Sequence, residues 1–228
     1  MRINNIIING EVLGGFSRGD TKKKIFDERK QKSSRNIQKI LVDAEIGNVN
    51  FFATDLNDFD IHFHGSAILS HDVIFDVEII ENQMKIIVKF NGCNISGNLI
   101  LDIALPKKVY KEIFVTTNLG DVVLKNDVVV EKLRVKTMSG SIDSKAIINS
   151  ISFDTMNGDA NVLINARKDI CLNMSTMNGT VDVVLNNIGS MDISTSTMNG
   201  RISKCTRKEG RHAIEGIIST MNGNINIR

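Results

Sequence analysis

The chain has 228 residues, with 28 Lys/Arg against 26 Asp/Glu, 42% apolar residues, no Trp, one Tyr and one Pro. A formal charge of +2 excludes the charge-driven partners, nucleic acid and an anionic membrane surface, for the chain as a whole, while the apolar share is enough for the core of one large domain. Cys93, Cys171 and Cys205 are odd in number and far apart, so they form neither a disulfide framework nor a Cys-x-x-Cys zinc site.

Ile and Val dominate the apolar set and proline is almost missing. Branched side chains suit a pleated surface and proline cannot donate to a ladder, so the composition favours strands over helices.

At the N-terminus, MRINNIIINGEVLGG carries a short apolar run closed by Asn9-Gly10, which reads as a hairpin. It lacks the long apolar core and small-residue cleavage site of a signal peptide, and no run approaches the ~18 apolar residues of a membrane span. The expectation is a cytoplasmic chain with no transmembrane segment, with association at the cell envelope as the alternative. Between Arg18 and Arg35 stand eight Lys/Arg and three Asp/Glu. This stretch reads as a solvated loop, or else as an arm for phosphate or anionic lipid, and 24–39 could form a short helix. Residues 1–37 are therefore taken as a hairpin plus a basic, flexible segment, and 38–228 as a single β-repeat domain.

The segments 39–55, 58–69, 73–81, 83–90 and 97–106 alternate or run apolar, with turn residues such as Gly47, Gly65 and Asn91-Gly92 between them. On a strand over 58–64, Asp58, Asp60, His62 and His64 share one face while Phe59, Ile61 and Phe63 share the other. With His71 as an extra ligand, that polar face has the donor types of a transition-metal site. The plainer reading is an amphipathic strand with its polar side in water.

From 115 onward a repeat takes over. TTNLGDVVL (116–124), KTMSGSID (136–143), DTMNGDANV (154–162), STMNGTVDV (175–183), STMNGRIS (196–203) and STMNGNINI (219–227) align on Gly120, Gly140, Gly158, Gly179, Gly200 and Gly223, spaced by 20, 18, 21, 21 and 23 residues. Thr stands three residues before every one of these glycines and an apolar residue two after it. The regular copies give the columns Thr155, Thr176, Thr197 and Thr220; Asn157, Asn178, Asn199 and Asn222; Gly158, Gly179, Gly200 and Gly223. Apolar positions two apart mean strands with one buried face, and Asn-Gly marks a corner or tight reversal. Two all-β architectures fit: a β-solenoid, a single-stranded β-helix-like stack of ~20-residue coils, or an antiparallel β-meander of hairpins. Identical corners at near-constant spacing favour the stack. It would set the four Asn about 4.8 Å apart as an amide ladder, and some nine coils would make a rod roughly 45 Å long. Met138, Met156, Met177, Met198 and Met221 would form a column beside it, read as gap fillers next to the buried corner rather than as ligands for a soft metal.

Catalytic signals are weak. No phosphate-cradling glycine loop, nucleophile elbow or His-Glu-x-x-His occurs, so no cofactor and no catalytic residue is assigned. Asp121, Asp143, Asp159 and Asp182 follow the corner glycines and would be the acids of a polysaccharide-cleaving β-helix, but turn-adjacent Asp ordinarily caps the backbone. The runs LDIALPKK (101–108), VTTNLGDVVLKN (115–126), LRVKTMSGSID (133–143) and FDTMNGDANV (153–162) resemble the bacterial β-strand-repeat family known as putative adhesins, over about 38–228. The resemblance implies an all-β, β-helix-like fold and leaves the chemistry open. The expected function is thus a non-enzymatic structural or interaction module, using its ladder surface or an open terminal coil at INIR (225–228) for self-association or a protein partner. A carbohydrate- or envelope-binding protein is the alternative.

Overall fold

The computed structural model describes residues 7–8, 11–12, 22–69, 73–90, 96–125, 127–205 and 210–228; His71, Cys93, Arg18 and the Asn91-Gly92 turn lie outside them. The described residues are all-β, with no helix, and so none long and apolar enough to cross a membrane. A two-residue antiparallel pair joins β1 (Ile7–Ile8) to β2 (Glu11–Val12). The first half continues with β3 (Lys22–Ser33), β4 (Lys39–Ile46), β5 (Asn48–Thr54), β6 (Asp58–Leu69), β7 (Val73–Ile80), β8 (Gln83–Phe90) and β9 (Ser96–Pro106).

Beyond Pro106 the repeat imposes a rhythm of one long strand, a glycine corner and one shorter strand. β10 (Val109–Leu119) turns into β11 (Val122–Leu124), β12 (Val129–Ser139) into β13 (Ile142–Ser144), and β14 (Ile147–Asn157) into β15 (Ala160–Asn165). β16 (Ile170–Asn178) turns into the start of β17 (Val181–Asn199), whose far end turns into β18 (Ile202–Lys204); β19 (Gly210–Asn222) turns into β20 (Ile225–Ile227).

These strands pair in parallel with the equivalent strand of another repeat. Thr117, Thr137, Thr155 and Thr176 stand in register across the long strands, and Val122, Ile142, Ala160 and Val181 across the short ones. A hairpin meander would pair each strand antiparallel with its chain neighbour. Antiparallel pairing is confined, among the described residues, to β1–β2, β3–β6, β6–β9 and β7–β8. All strands from β3 onward are linked by hydrogen bonds into one network of 18 strands that curls almost closed, barrel-like, around a single apolar core. Inward columns from the long strands (Ile113, Leu133, Ile151, Leu172) meet those from the short ones, and the position two after the corner is fully buried in Val122, Ile142, Ala160, Val181 and Ile225. Each of the Val, Leu and Ile side chains contributes about 1.5–3 kcal/mol on leaving water.

The spatial order of the repeats departs from chain order at both ends. β4 and β5 lie between β8–β9 on one side and β10–β11 on the other. At the far end β19 lies between β16 and the last part of β17, and β20 between the first part of β17 and β18. The first and last repeats are therefore each flanked on both sides. This corrects the expectation of an open coil at INIR: Ile225 and Ile227 are buried, and the outermost repeat is 187–204, where β18 is exposed throughout. Physically the choice is set by side chains, because Ile218 and Ile227 fill inward positions that Thr195 and Lys204 hold in the outer repeat.

A second correction concerns the basic segment. In place of a loop or a short helix over 24–39, Lys22–Ser33 is a strand paired along its length with β6. Phe26 turns inward onto Phe63, ring centroids 5.3 Å apart, and Lys30, on the same face, lies over the Phe75 ring at 4.9 Å from its centroid.

Candidate functional site: the stacked corner and the outer face of β6

The corner explains its tetrapeptide residue by residue. Thr points inward and its hydroxyl donates to the corner-glycine carbonyl of the neighbouring repeat: Thr176 to Gly158 (3.1 Å), Thr220 to Gly179 (3.2 Å), Thr197 to Gly223 (3.0 Å), and Thr155 more loosely to Gly140 (3.5 Å). In the two degenerate copies Thr117 and Thr137 are buried with the hydroxyl unpartnered. Glycine is required because the backbones nearly touch. A Cβ on Gly158, Gly179, Gly223 or Gly200 would sit 1.9–2.0 Å from the carbonyl oxygen of the corner glycine beside it. Asn completes the set with amide-to-amide hydrogen bonds of 2.8 Å from Asn178 to Asn157, Asn222 to Asn178, and Asn199 to Asn222. The order is thus 157–178–222–199, not chain order, because the last repeat is inserted before the outer one.

Methionine is the residue the sequence reading misplaced. With Thr inward, alternation turns the next side chain outward, and Met138, Met156, Met177, Met221 and Met198 are 40–74% exposed. They fill no gap in the core.

The residue after the corner glycine caps the next repeat. The Ser141 N–H donates to the Asp121 carboxylate (2.8 Å) and the Thr180 N–H to Asp159 (2.7 Å). Asp182 accepts from the Asn226 amide (2.8 Å) and faces Arg228 at 3.7 Å; Asp143 is exposed. Asp121, Asp159 and Asp182 are thus committed to holding corners and strand ends.

The polar face of β6 is more organised than its sequence suggested. β6 runs antiparallel between β3 and β9, with His62 opposite Arg29 and Asp102, and His64 opposite Asp27 and Ile100. Phe59, Ile61 and Phe63 are buried beneath. The imidazoles stack with centroids 4.4 Å apart. The Nε2 of His62 lies 2.7 Å from Asp27 Oδ1 and that of His64 lies 3.0 Å from Asp102 Oδ2. Asp60 goes elsewhere: Arg29 grips it with two hydrogen bonds, Nε to Oδ1 at 2.6 Å and Nη2 to Oδ2, and this bonding holds the Asp60 carboxyl below the usual carboxylate range against the opposing effect of burial. Asp58 lies on the exposed end of the strand. Of the residues read as a polar stripe, then, only His62 and His64 come together. Asp27, Asp102 and the Asn50 that donates to Asp102 (2.8 Å) arrive from strands whose register the sequence does not reveal.

No family model matches the chain, and no curated protein matches it. Solved structures do. A putative cell adhesion protein from Clostridium sporogenes is similar at 16% identity with a TM-score of 0.61, over 90% of this chain and 99% of that one. A putative adhesin from Bacteroides fragilis is similar at 15% identity with a TM-score of 0.53, over 92% and 99%. At such identities the likeness is one of fold, and it extends over nearly the whole of each chain. These are structures of the adhesin group that the sequence resembles.

Proposed function

We propose that this chain, sharing its fold with bacterial adhesin-type structures, is a β-solenoid interaction module with no catalytic task, and that it docks a partner strand along the edge formed by Asn187–Asn199. The parallel, repeat-on-repeat register supports the solenoid reading, and the difference between the two ends of the stack supports the docking edge. An unpaired strand edge is a template for another chain, and proteins that keep such edges quiet do so with lysines and covering contacts. One end is guarded in that way. β3 is rich in Lys and Arg, and Lys30 reaches across to the Phe75 carbonyl (2.7 Å) and Asp76 (3.0 Å) on β7, tying the two edges together. At the other end, the 187–199 half of β17 pairs, among the described residues, only with β19. It contains no Lys or Arg of its own, Lys204 of β18 covers one of its carbonyls, that of Ile193 (2.5 Å), and Met198 and Ile202 stand exposed there at 74% and 41%. That contrast carries the proposal. The first partner to consider is a second copy, edge to edge.

Sedimentation and light scattering across protein concentration test it. The wild type is expected to self-associate, and the exposed Ser194→Lys/Ser196→Lys pair to remain monomeric with an unchanged circular dichroism spectrum. A wild type that is monomeric at every concentration, yet retained on cell-envelope material equally with and without the lysines, would replace edge docking by glycan or envelope binding through another face.

A further inference from the structure

The outer face of β6 carries the makings of a metal site. His62, His64 and Asp102 each offer a ligand atom, and these atoms all lie within 4.8 Å of one another. In a tetrahedral site with metal–ligand bonds of ~2.0–2.1 Å the ligand atoms are roughly 3.3 Å apart, and His64 Nε2 and Asp102 Oδ2 already stand 3.0 Å apart. Two adjacent strands with a continuous ladder hold the donors, so little ordering is left for an ion to impose. Asn50 anchors Oδ1 of Asp102 and leaves Oδ2 for the site, the kind of supporting contact that orients metal carboxylates. Charge also fits. Arg29 is taken up by Asp60, so Asp27 and Asp102 supply two negative charges that a divalent ion balances. Two imidazoles with one carboxylate suit a borderline first-row ion, whereas calcium and magnesium prefer all-oxygen sets.

We propose that His62, His64 and Asp102 bind one divalent transition-metal ion of the zinc class, with the fourth position left to water. His62, His64 and Asp102 remain about 30% exposed, so the ion would be reachable from solvent. The site lies at the guarded end of the stack and is independent of the docking edge.

The test is calorimetric titration of Zn2+ into the full chain carrying Cys93→Ser, Cys171→Ser and Cys205→Ser, which removes thiol competition. One ion per chain is expected, with at least a hundredfold weaker binding in His62→Gln/His64→Gln and no change in His212→Gln. On the unaltered histidines, imidazole NMR signals of His62 and His64 should shift with Zn2+ while that of His212 does not. This reading stands even if the double variant folds poorly. Absence of saturable uptake, uptake that survives the double substitution in a folded chain, or a shift confined to His212 would each overturn the proposal.

Discussion

Replacing Gly179 by Ala probes the stacking directly. The added Cβ would lie 1.9 Å from the Gly158 carbonyl oxygen and 2.6 Å from its carbon. Gly179 is not among the glycines with left-handed φ, so the substitution brings no backbone strain of its own and the clash is isolated. Relief requires the two repeats to part by at least about 1 Å at this corner. That takes four hydrogen bonds out of range: Thr176 Oγ1 to Gly158 O (3.1 Å), Asn178 to Asn157 (2.8 Å), Gly158 N to Asn178 O (3.0 Å) and Thr180 N to Asp159 (2.7 Å). At 0.5–1.5 kcal/mol each, the expected loss is about 3 kcal/mol, or a fall in Tm of roughly 6–12 °C for a chain of this size. Met177→Ala, two residues earlier in the same corner but 40% exposed, should cost under about 1 kcal/mol. Urea unfolding of both variants, with m unchanged, is the assay. If Gly179→Ala is no worse than Met177→Ala, the repeats do not approach as described.

Ile225 and Ile202 occupy the same place in the repeat, yet one is buried and the other is 41% exposed. Ile225→Ala should therefore cost about 2–5 kcal/mol and Ile202→Ala under about 1 kcal/mol; similar losses would contradict the insertion of the last repeat. Asn222 bonds to an Asn on either side and Asn199 to one, so in urea unfolding Asn222→Ala should destabilise by about 1–2 kcal/mol, roughly twice the effect of Asn199→Ala. The Arg29 contact depresses the folded-state pKa of Asp60. Its stabilisation is then fully present above the ordinary Asp value near ~3.9 and is lost as pH falls through the depressed one. Stability measured from pH 5 downward should fall more steeply in the wild type than in Asp60→Asn, and parallel curves would refute the pairing.

The repeat was readable because Thr, Asn and Gly of each corner answer to separate physical demands, so the three recur together. Its order was not, since STMNG at 196–200 and at 219–223 makes the same corner. A signal was nonetheless present: Thr195 and Lys204 stand where the final repeat has Ile218 and Ile227, and polar residues in inward columns mark an outermost repeat. The methionines could have been placed by the same alternation that turns Thr inward. β3 resisted because an edge strand with one short inward face, Phe26 among lysines, has the composition of a loop. The histidines of β6 were visible in the sequence; their partners Asp27 and Asp102 depend on strand register, which no local pattern records.

Placing the first and last repeats one step inside the ends of the stack changes how the molecule would respond to tension. In a stack laid down in chain order, a load on a terminus peels repeats off singly from the end, breaking one ladder at a time. Here a pull transmitted through 210–228 must draw β19 and β20 out from between two neighbours, shearing ladders on both flanks together. The same holds for β4 and β5 at the opposite end. A repeat held on both flanks gives way under force in one high rupture instead of a series of small ones.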